Sequence, residues 1–444
     1  APAFGDERSV TLSLSQDGHG SRKLQLQLGR SGELLGYLKA SNPDAGDELG
    51  RVMAASGDTL VVGAPFEDGS VRSTAHAPDD GTKDSGAVYV FVREPSGALR
   101  QEAYLKAEAP RENARFGWSV AIDGDRLVVG ANMDGPGSVH VFERHNGAWS
   151  RVKMLTPDAA GGNAQQFGAA VALAGDTIAV GASTETTLST DSGAVYVFER
   201  GNGDYASVVK LKAKTPGPLD WFGSAVALTQ EMLIGVATGA IPSGLASSGV
   251  LHVFTRGAAG WEERQALPPA DGTACAFFGQ AVAVSGNTLA TSCWNASAER
   301  PAGAVYLYER GADGKFEPSR VLTAAAAQSG DAFGRGIALQ GDTLLVGAPF
   351  EHSAGRGIGG RETGALSESG AAYLFTRQGG VWRELVRIKA PEPFAKDGMG
   401  NSVALGGDDV FYVAASQDGS AGSGVDAVQG MRGAATSGAV HVFR

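Results

Sequence analysis

Two arginines and an asparagine recur at one position of a repeated phrase. Arg51 follows Leu49–Gly50, Arg335 follows Phe333–Gly334, and Asn401 follows Met399–Gly400. A guanidinium presents a planar fork of donors that fits a carboxylate, and with an amide beside it the set could also grip sugar hydroxyls. The alternative is that these side chains hydrogen-bond the loops above them. Elsewhere the same position holds Trp118, Ala169, Ser224 and Gln280. A second polar set lies in three long segments between strands: Glu67, Asp68, Asp79, Asp80 and Asp84, then Glu351, His352, Glu362 and Glu368, then Asp418 and Asp426. Such carboxylates can contact a ligand or hold calcium, or simply stand in water. The spacing in "EDG" and "DDGTKD" is not a calcium-loop pattern, so Asp79, Asp80 and Asp84 are weak metal candidates.

Other chemistries find less support. "GRGIGG" (Gly355–Gly360) satisfies G-x-G-x-x-G but lies inside a loop, without the preceding strand and following helix that give the pattern its phosphate-binding geometry. There is no H-E-x-x-H, P-loop or C-x-x-C sequence. His140, His252 and His441 stand where other copies of the phrase "VYVF" have Tyr, and read as structural. Cys275 and Cys293 bracket a hairpin that folds their positions together, so a disulfide is expected, which suits an oxidising compartment. The alternative is two buried thiols. Asn295–Ser297 matches a glycosylation acceptor but reads as an ordinary loop.

The elements that must position these residues are strands. Each unit has an "FG" followed by alternating apolar residues, a turn such as "SGDT", a run ending in "GA" or "GAP", then "SGAVYVF", then a polar strand ending in "LKA" or similar. Period-2 alternation with Val, Tyr and Phe marks strands, and the Gly–Asp turns mark tight hairpins. Seven units start at Leu49, Phe116, Phe167, Phe222, Phe278, Phe333 and Met399. The seventh lacks its fourth strand, and the missing copy stands at the other end: "ELLGYLKA" (Glu33–Ala40) matches "RQEAYLKA" (Arg100–Ala107). The fold class expected is therefore all-β, a seven-bladed propeller of four-stranded blades over residues 33–444, closed by an N-terminal strand that completes the last blade. Residues 1–32 form an extension, read as a β-hairpin from "VTLSLS" and "KLQLQL". Val120, Val171, Val226, Val282, Ile337 and Val403, each followed by Ala, fit inner strands crowded at an axis. The Phe of "FG" reads as core and its Gly as a close backbone approach.

At these residues the chain resembles the FG-GAP repeat family, the repeat of the integrin alpha-subunit propeller, and looks closest to bacterial secreted members. Phe333–Gly334 with Gly347–Pro349, and Leu49–Gly50 with Gly63–Pro65, carry the likeness most fully. The resemblance implies calcium in D-x-D-x-D-G hairpins between first and second strands. Here those hairpins are short (Ser56–Thr59, Ala174–Thr177, Gln340–Thr343) with one Asp each, too few oxygens for a calcium cage. No cofactor is expected, and calcium is not supported by those loops.

The net charge of −11 is spread without basic clusters, which argues against nucleic acid. No apolar run is long enough to span a bilayer as a helix. The start "APAFG" would remain after removal of an export signal or after trimming, and a secreted or surface-displayed monomer is the expectation. The long segments belong to units six, seven and one, consecutive around a closed ring, so they gather on one face. The favoured reading is a non-catalytic adhesion or binding module for a protein or glycan. It would use Arg51, Arg335, Asn401, Glu67, Asp68, Glu351, His352 and Asp418. The alternatives are a polysaccharide-acting, lyase-like enzyme with a site at the axis, or a structural spacer.

Overall fold

The computed structural model describes residues 9–16, 19–27, 33–70, 79–157, 166–186, 189–241, 249–273, 275–294, 301–361, 364–427, 429 and 432–444. Strands β1 (Ser9–Gln16) and β2 (His19–Gln27) pair as an antiparallel hairpin, Val10 opposite Leu26 and Leu12 opposite Leu24. β3 (Leu34–Leu38) follows, and then six complete units. These are β4 (Val52–Ser56), β5 (Thr59–Ala64), β6 (Ala87–Arg93) and β7 (Leu99–Leu105); β8 (Phe116–Asp123), β9 (Arg126–Ala131), β10 (Ser138–His145) and β11 (Ala148–Leu155); β12 (Phe167–Ala174), β13 (Thr177–Ala182), β14 (Ala194–Gly201) and β15 (Asp204–Leu211). The fourth to sixth are β16 (Phe222–Leu228), β17 (Met232–Ala237), β18 (Val250–Gly257) and β19 (Gly260–Leu267); β20 (Val282–Ser285), β21 (Thr288–Cys293), β22 (Ala304–Arg310) and β23 (Phe316–Leu322); β24 (Ile337–Gln340), β25 (Thr343–Ala348), β26 (Ala371–Gln378) and β27 (Val381–Ile388). The chain ends with β28 (Met399–Leu405), β29 (Phe411–Ala415) and β30 (Ala439–Phe443).

Every unit is its own antiparallel sheet, and the seventh is completed by β3 in the order β28-β29-β30-β3. Glu33 and Arg444 exchange backbone hydrogen bonds at 2.9 Å in both directions. The inner strands β4, β8, β12, β16, β20, β24 and β28 each neighbour the next, and β28 returns to β4. The fold is thus a closed seven-bladed β-propeller. Closure leaves each blade only its outermost strand as an edge.

The repeated phrases explain how blades join. The residue before "FG" and the residue after it close a turn in all seven units, for example Arg51 N–H to Glu48 O and Asn401 N–H to Gly398 O. Gly400 illustrates the requirement on the glycine. Its φ is +99°, as the third position of such a turn needs, and a Cβ there would lie 2.2 Å from Ala371 O of the preceding blade. The apolar residue of the pair is latched to the previous blade through its N–H: Phe116 to Ser85 O, Phe222 to Ser192 O, Met399 to Ser369 O. The same latch shuts the ring, with Leu49 N–H donating to Ser437 O at 3.1 Å.

Phe116, Phe167, Phe222, Phe278 and Phe333 are fully buried between blades, and each such ring contributes about 1.5–3 kcal/mol by leaving water. Each meets a third-strand ring edge-on, namely His140, Tyr196, His252, Tyr306 and Tyr373 in turn. His140 and His441 are buried, and burial pulls both down to about 4, so they are neutral core residues at physiological pH.

Candidate functional site

Two of the long second-to-third-strand segments, those of blades 6 and 7, turn outward over their described residues. In blade 7, Val425 bridges to Leu38, and Lys39 N–H and Gly424 N–H donate to Gly424 O and Ala40 O. In blade 6, Ile358 bridges to Ile388, and Lys389 N–H donates to Gly357 O. Both segments therefore lie along the outermost strand of their own blade.

This corrects the expectation that their carboxylates face a ligand. Glu67, Glu351 and Asp418 are buried, each at the third position beyond the alanine that ends its second strand, Ala64, Ala348 or Ala415. Each pairs with a buried lysine of the fourth strand: Lys106 with Glu67 at 2.5 Å, Lys389 with Glu351, and Lys39 with Asp418 at 3.6 Å. Each ammonium also donates to a serine of the third strand's "SG", Ser85, Ser369 or Ser437, at 2.7–2.8 Å. The serine hydroxyl in turn donates to a loop carbonyl, of Gly69, Ser353 or Ser420. A serine beside a lysine invites a catalytic reading, but three copies sealed from water are structural staples that pin each long segment to its blade. Burial lowers all three lysines, Lys39 to about 8. Blade 3 keeps half of the device, with Lys210 and Tyr196 donating to Glu185.

The remaining loop candidates are also largely engaged in structure. Asp68 accepts Asp84 N–H and Asp79 accepts both Ser70 N–H and its hydroxyl, all at 2.6 Å. Asp80 is exposed and interacts with Asp44. Glu368 and Asp84 occupy left-handed turns, and Asp426 is exposed in another. His352 is exposed, with Nδ1 3.6 Å from Asp331. Glu362 and Asn295–Ser297 lie outside the described residues. The hairpin aspartates Asp125, Asp176 and Asp342 pair with Arg144, Arg126 and Arg377 at 2.6–2.7 Å, and Asp58 pairs with Arg93. Among the described residues no three His, Cys, Asp or Glu side chains are grouped to hold a metal. Cys275 and Cys293 form a disulfide across the entry to blade 5.

The inner ring is different. The residues flanking "FG" stand at the axial end of each inner strand, where the fourth-to-first and second-to-third connections emerge. The residue before "FG" adopts a left-handed φ in every unit, including the bulky Arg115 (57°), Trp221 (54°) and Phe277 (61°). That conformation is held by the turn closing over it. Arg51 Cζ lies 4.8 Å from the centre of the Trp118 ring and 5.3 Å from that of Phe66, two rings that meet edge to face at 89°. Arg115 Cζ lies 5.4 and 5.3 Å from the same two centres. Arg335 lies 4.8 Å over Trp294, whose Nε1 donates to Gln280 at 2.6 Å. Asn401 sits between, donating from Nδ2 to Arg51 O at 3.4 Å. A cationic and aromatic arc thus runs through blades 5, 6, 7, 1 and 2. Trp221 stacks on the exposed Phe277 farther round, at 6.5 Å and 8°.

Charge pairing in this arc is incomplete. Arg51 has Glu48 at 2.6 Å. Arg335 and Arg115 have no acidic partner among the described residues, and Arg115 Nε is buried without an acceptor. Burial, and then the charge of Arg51, pull Arg335 below the usual arginine range, so the two guanidiniums feel one another. Sequence reasoning picked Arg51, Arg335 and Asn401 but passed over Arg115, Phe66, Trp294 and the weight of Trp118. The clue available was "RFGW": its first and fourth residues flank "FG" as Glu48 and Arg51 do.

The sequence profile of the FG-GAP repeat matches residues 36–91, 99–142, 149–198, 261–308 and 319–375, more than half of the chain. The chain belongs to the FG-GAP repeat family. The first matched segment begins within β3, the strand that closes blade 7, so sequence repeat and structural blade are offset by one strand. No curated protein matches this FG-GAP chain. Among solved structures it is similar to a functionally unknown protein from Desulfotomaculum acetoxidans (10% identity, TM-score 0.46, 74% of this chain and 85% of that one). It is likewise similar to the WD40 domain of Toxoplasma gondii coronin (9% identity, TM-score 0.47, 93% and 86%). Likeness at this level carries no functional argument. No helix is long and apolar enough to cross a membrane among the described residues.

Proposed function

We propose that this FG-GAP propeller is a non-catalytic, exported binding module that engages a protein or glycan at the axial mouth, in the sector centred on blades 6, 7 and 1. The observation that carries this reading is the arc of Arg51, Arg115 and Arg335 set against Phe66, Trp118 and Trp294, two of the three guanidiniums lacking an acid among the described residues. Uncompensated cations and half-buried aromatic rings cost stability in a protein that has no use for them, and both residue types dominate binding hot spots. The stapled segments behind them supply rigidity, since fixing a site in advance spares the ordering entropy that binding otherwise costs. Asp68 and His352 flank this sector and would contribute at the rim.

The test is a screen of the full chain against arrayed glycans and extracellular proteins, repeated with Trp118→Ala and Trp294→Ala. The expected result is a specific ligand lost in both variants while their melting temperatures hold. A ligand retained by both variants would move the site elsewhere. Turnover of a bound polysaccharide, read as new ultraviolet absorbance from an unsaturated product, would favour the lyase-like reading.

A further inference from the structure

The arc also constrains what the ligand is, and this step rests on the binding reading above. A guanidinium placed over an aromatic ring keeps N–H donors at its edge that the ring does not use. An edgewise fork matches a carboxylate, which accepts two parallel hydrogen bonds. Arg335, Arg115 and Arg51 repeat this pairing of cation and ring along one arc, and among the described residues only the last has an acid, Glu48. The arc spans blades 6, 1 and 2, so a partner carrying several carboxylates would engage more of it than one small anion. The aromatic rings interleaved with the cations add a second demand. The partner needs a flat C–H-rich surface next to each carboxylate, which an acidic peptide lacks and a pyranose ring has. Gln280 and Asn401 add amides suited to hydroxyls.

We infer that the ligand is an acidic polysaccharide: uronate carboxylates pair with Arg335 and Arg115, and the sugar faces pack against Trp294, Trp118 and Phe66. The overall charge of −11 makes the arc a local exception, so binding depends on these residues rather than on a general attraction.

The experiment is affinity electrophoresis and calorimetry of the full chain in low-salt buffer containing a chelator. The probes are polygalacturonate, alginate, fully methyl-esterified pectin and dextran. At least one free-acid polymer is expected to bind, with the ester and dextran inert. Arg335→Met should weaken binding about tenfold or more. Arg335→Lys should restore part of it, which a purely structural role would not. An unchanged melting temperature confirms the fold of each variant, and progressive loss of affinity with added salt in the wild type provides a readout that needs no variant. Equal binding of ester and acid, indifference to both Arg335→Met and Arg115→Met, or failure of both acid polymers to bind would overturn the inference. If dextran or an arrayed protein binds and is lost in Trp294→Ala while the acids do not bind, the carboxylate inference falls and the mouth remains the site. If no ligand responds to Trp294→Ala or Arg335→Met, both fall.

Discussion

The stapled loops and the axial arc use the same chemistry to opposite ends. In blades 6, 7 and 1 every buried carboxylate of the staple has an ammonium, and every ammonium a serine oxygen. At the mouth, Arg335 and Arg115 have rings but no acid among the described residues. Length and acidity drew attention to the loops, yet their carboxylates are consumed internally. The short positions beside "FG" are where charge is left over. Charge that the fold satisfies is architecture, and charge that it leaves open on a rigid frame is available for recognition.

The comparison can be broken most sharply at a staple. Glu351→Ala strands Lys389 in the interior and should cost about 3–5 kcal/mol in denaturant unfolding. The double variant Glu351→Leu with Lys389→Met should recover most of that loss, since a packed apolar pair replaces a buried ionic one. A loss under 1 kcal/mol for the single variant, by the same order-of-magnitude scale, would show that the staple is ornamental. Next comes the disulfide. Replacing Cys275 and Cys293 with Ser opens a link spanning 18 residues and should cost about 3 kcal/mol, read as a lower unfolding midpoint.

A smaller effect follows pH. Asp47 is buried, accepts Asp44 N–H, and lies near Glu67, Asp44 and Asp68. Burial first, and those carboxylates next, push it up to about 8 from an ordinary 3.8. A group raised on folding contributes stability that is whole below its unfolded value and is lost as pH rises through the folded one. The wild type should therefore lose stability relative to Asp47→Asn between about pH 4 and pH 8. Parallel melting curves of the two proteins across that window would refute the assignment. The smallest effect is expected at the mouth itself. Arg335→Met and Trp294→Ala should change unfolding free energy by only about 0.5 kcal/mol, because these half-buried side chains hold only one another and Gln280. A large destabilisation there would turn the arc into more framework.

How much of this was legible beforehand follows from sequence distance. The unit count, the strand order and the closing strand were readable because each unit repeats its own hairpin chemistry, and Glu33–Ala40 repeats Arg100–Ala107. The buried Phe of "FG" and the structural histidines were readable from position alone. The staples were not. Glu67 meets Lys106 39 residues later, and Glu351 meets Lys389 38 residues later, across two strands whose side-chain directions must both be known. A glutamate in a polar loop gives no sign of a lysine waiting inside. The arc was half readable: alignment singles out the position after "FG", but Phe66 reaches Trp118 and Arg115 from the neighbouring blade, and only the assembled ring brings them together.

The hydrogen bond from Lys39 to Ser437 joins residues 398 apart in sequence. A ribosome therefore makes one half of the clasp 398 residues before the other. Until then β3 is a strand without a sheet, and the blade it will finish exposes a bare edge to any neighbour. Closing so distant a contact is slow and is rewarded only when it is complete. For a cell, the vulnerable period of this protein is the interval before β3 and β30 meet, and agents that shield unpaired strands then would matter more to its yield than any change at the mouth.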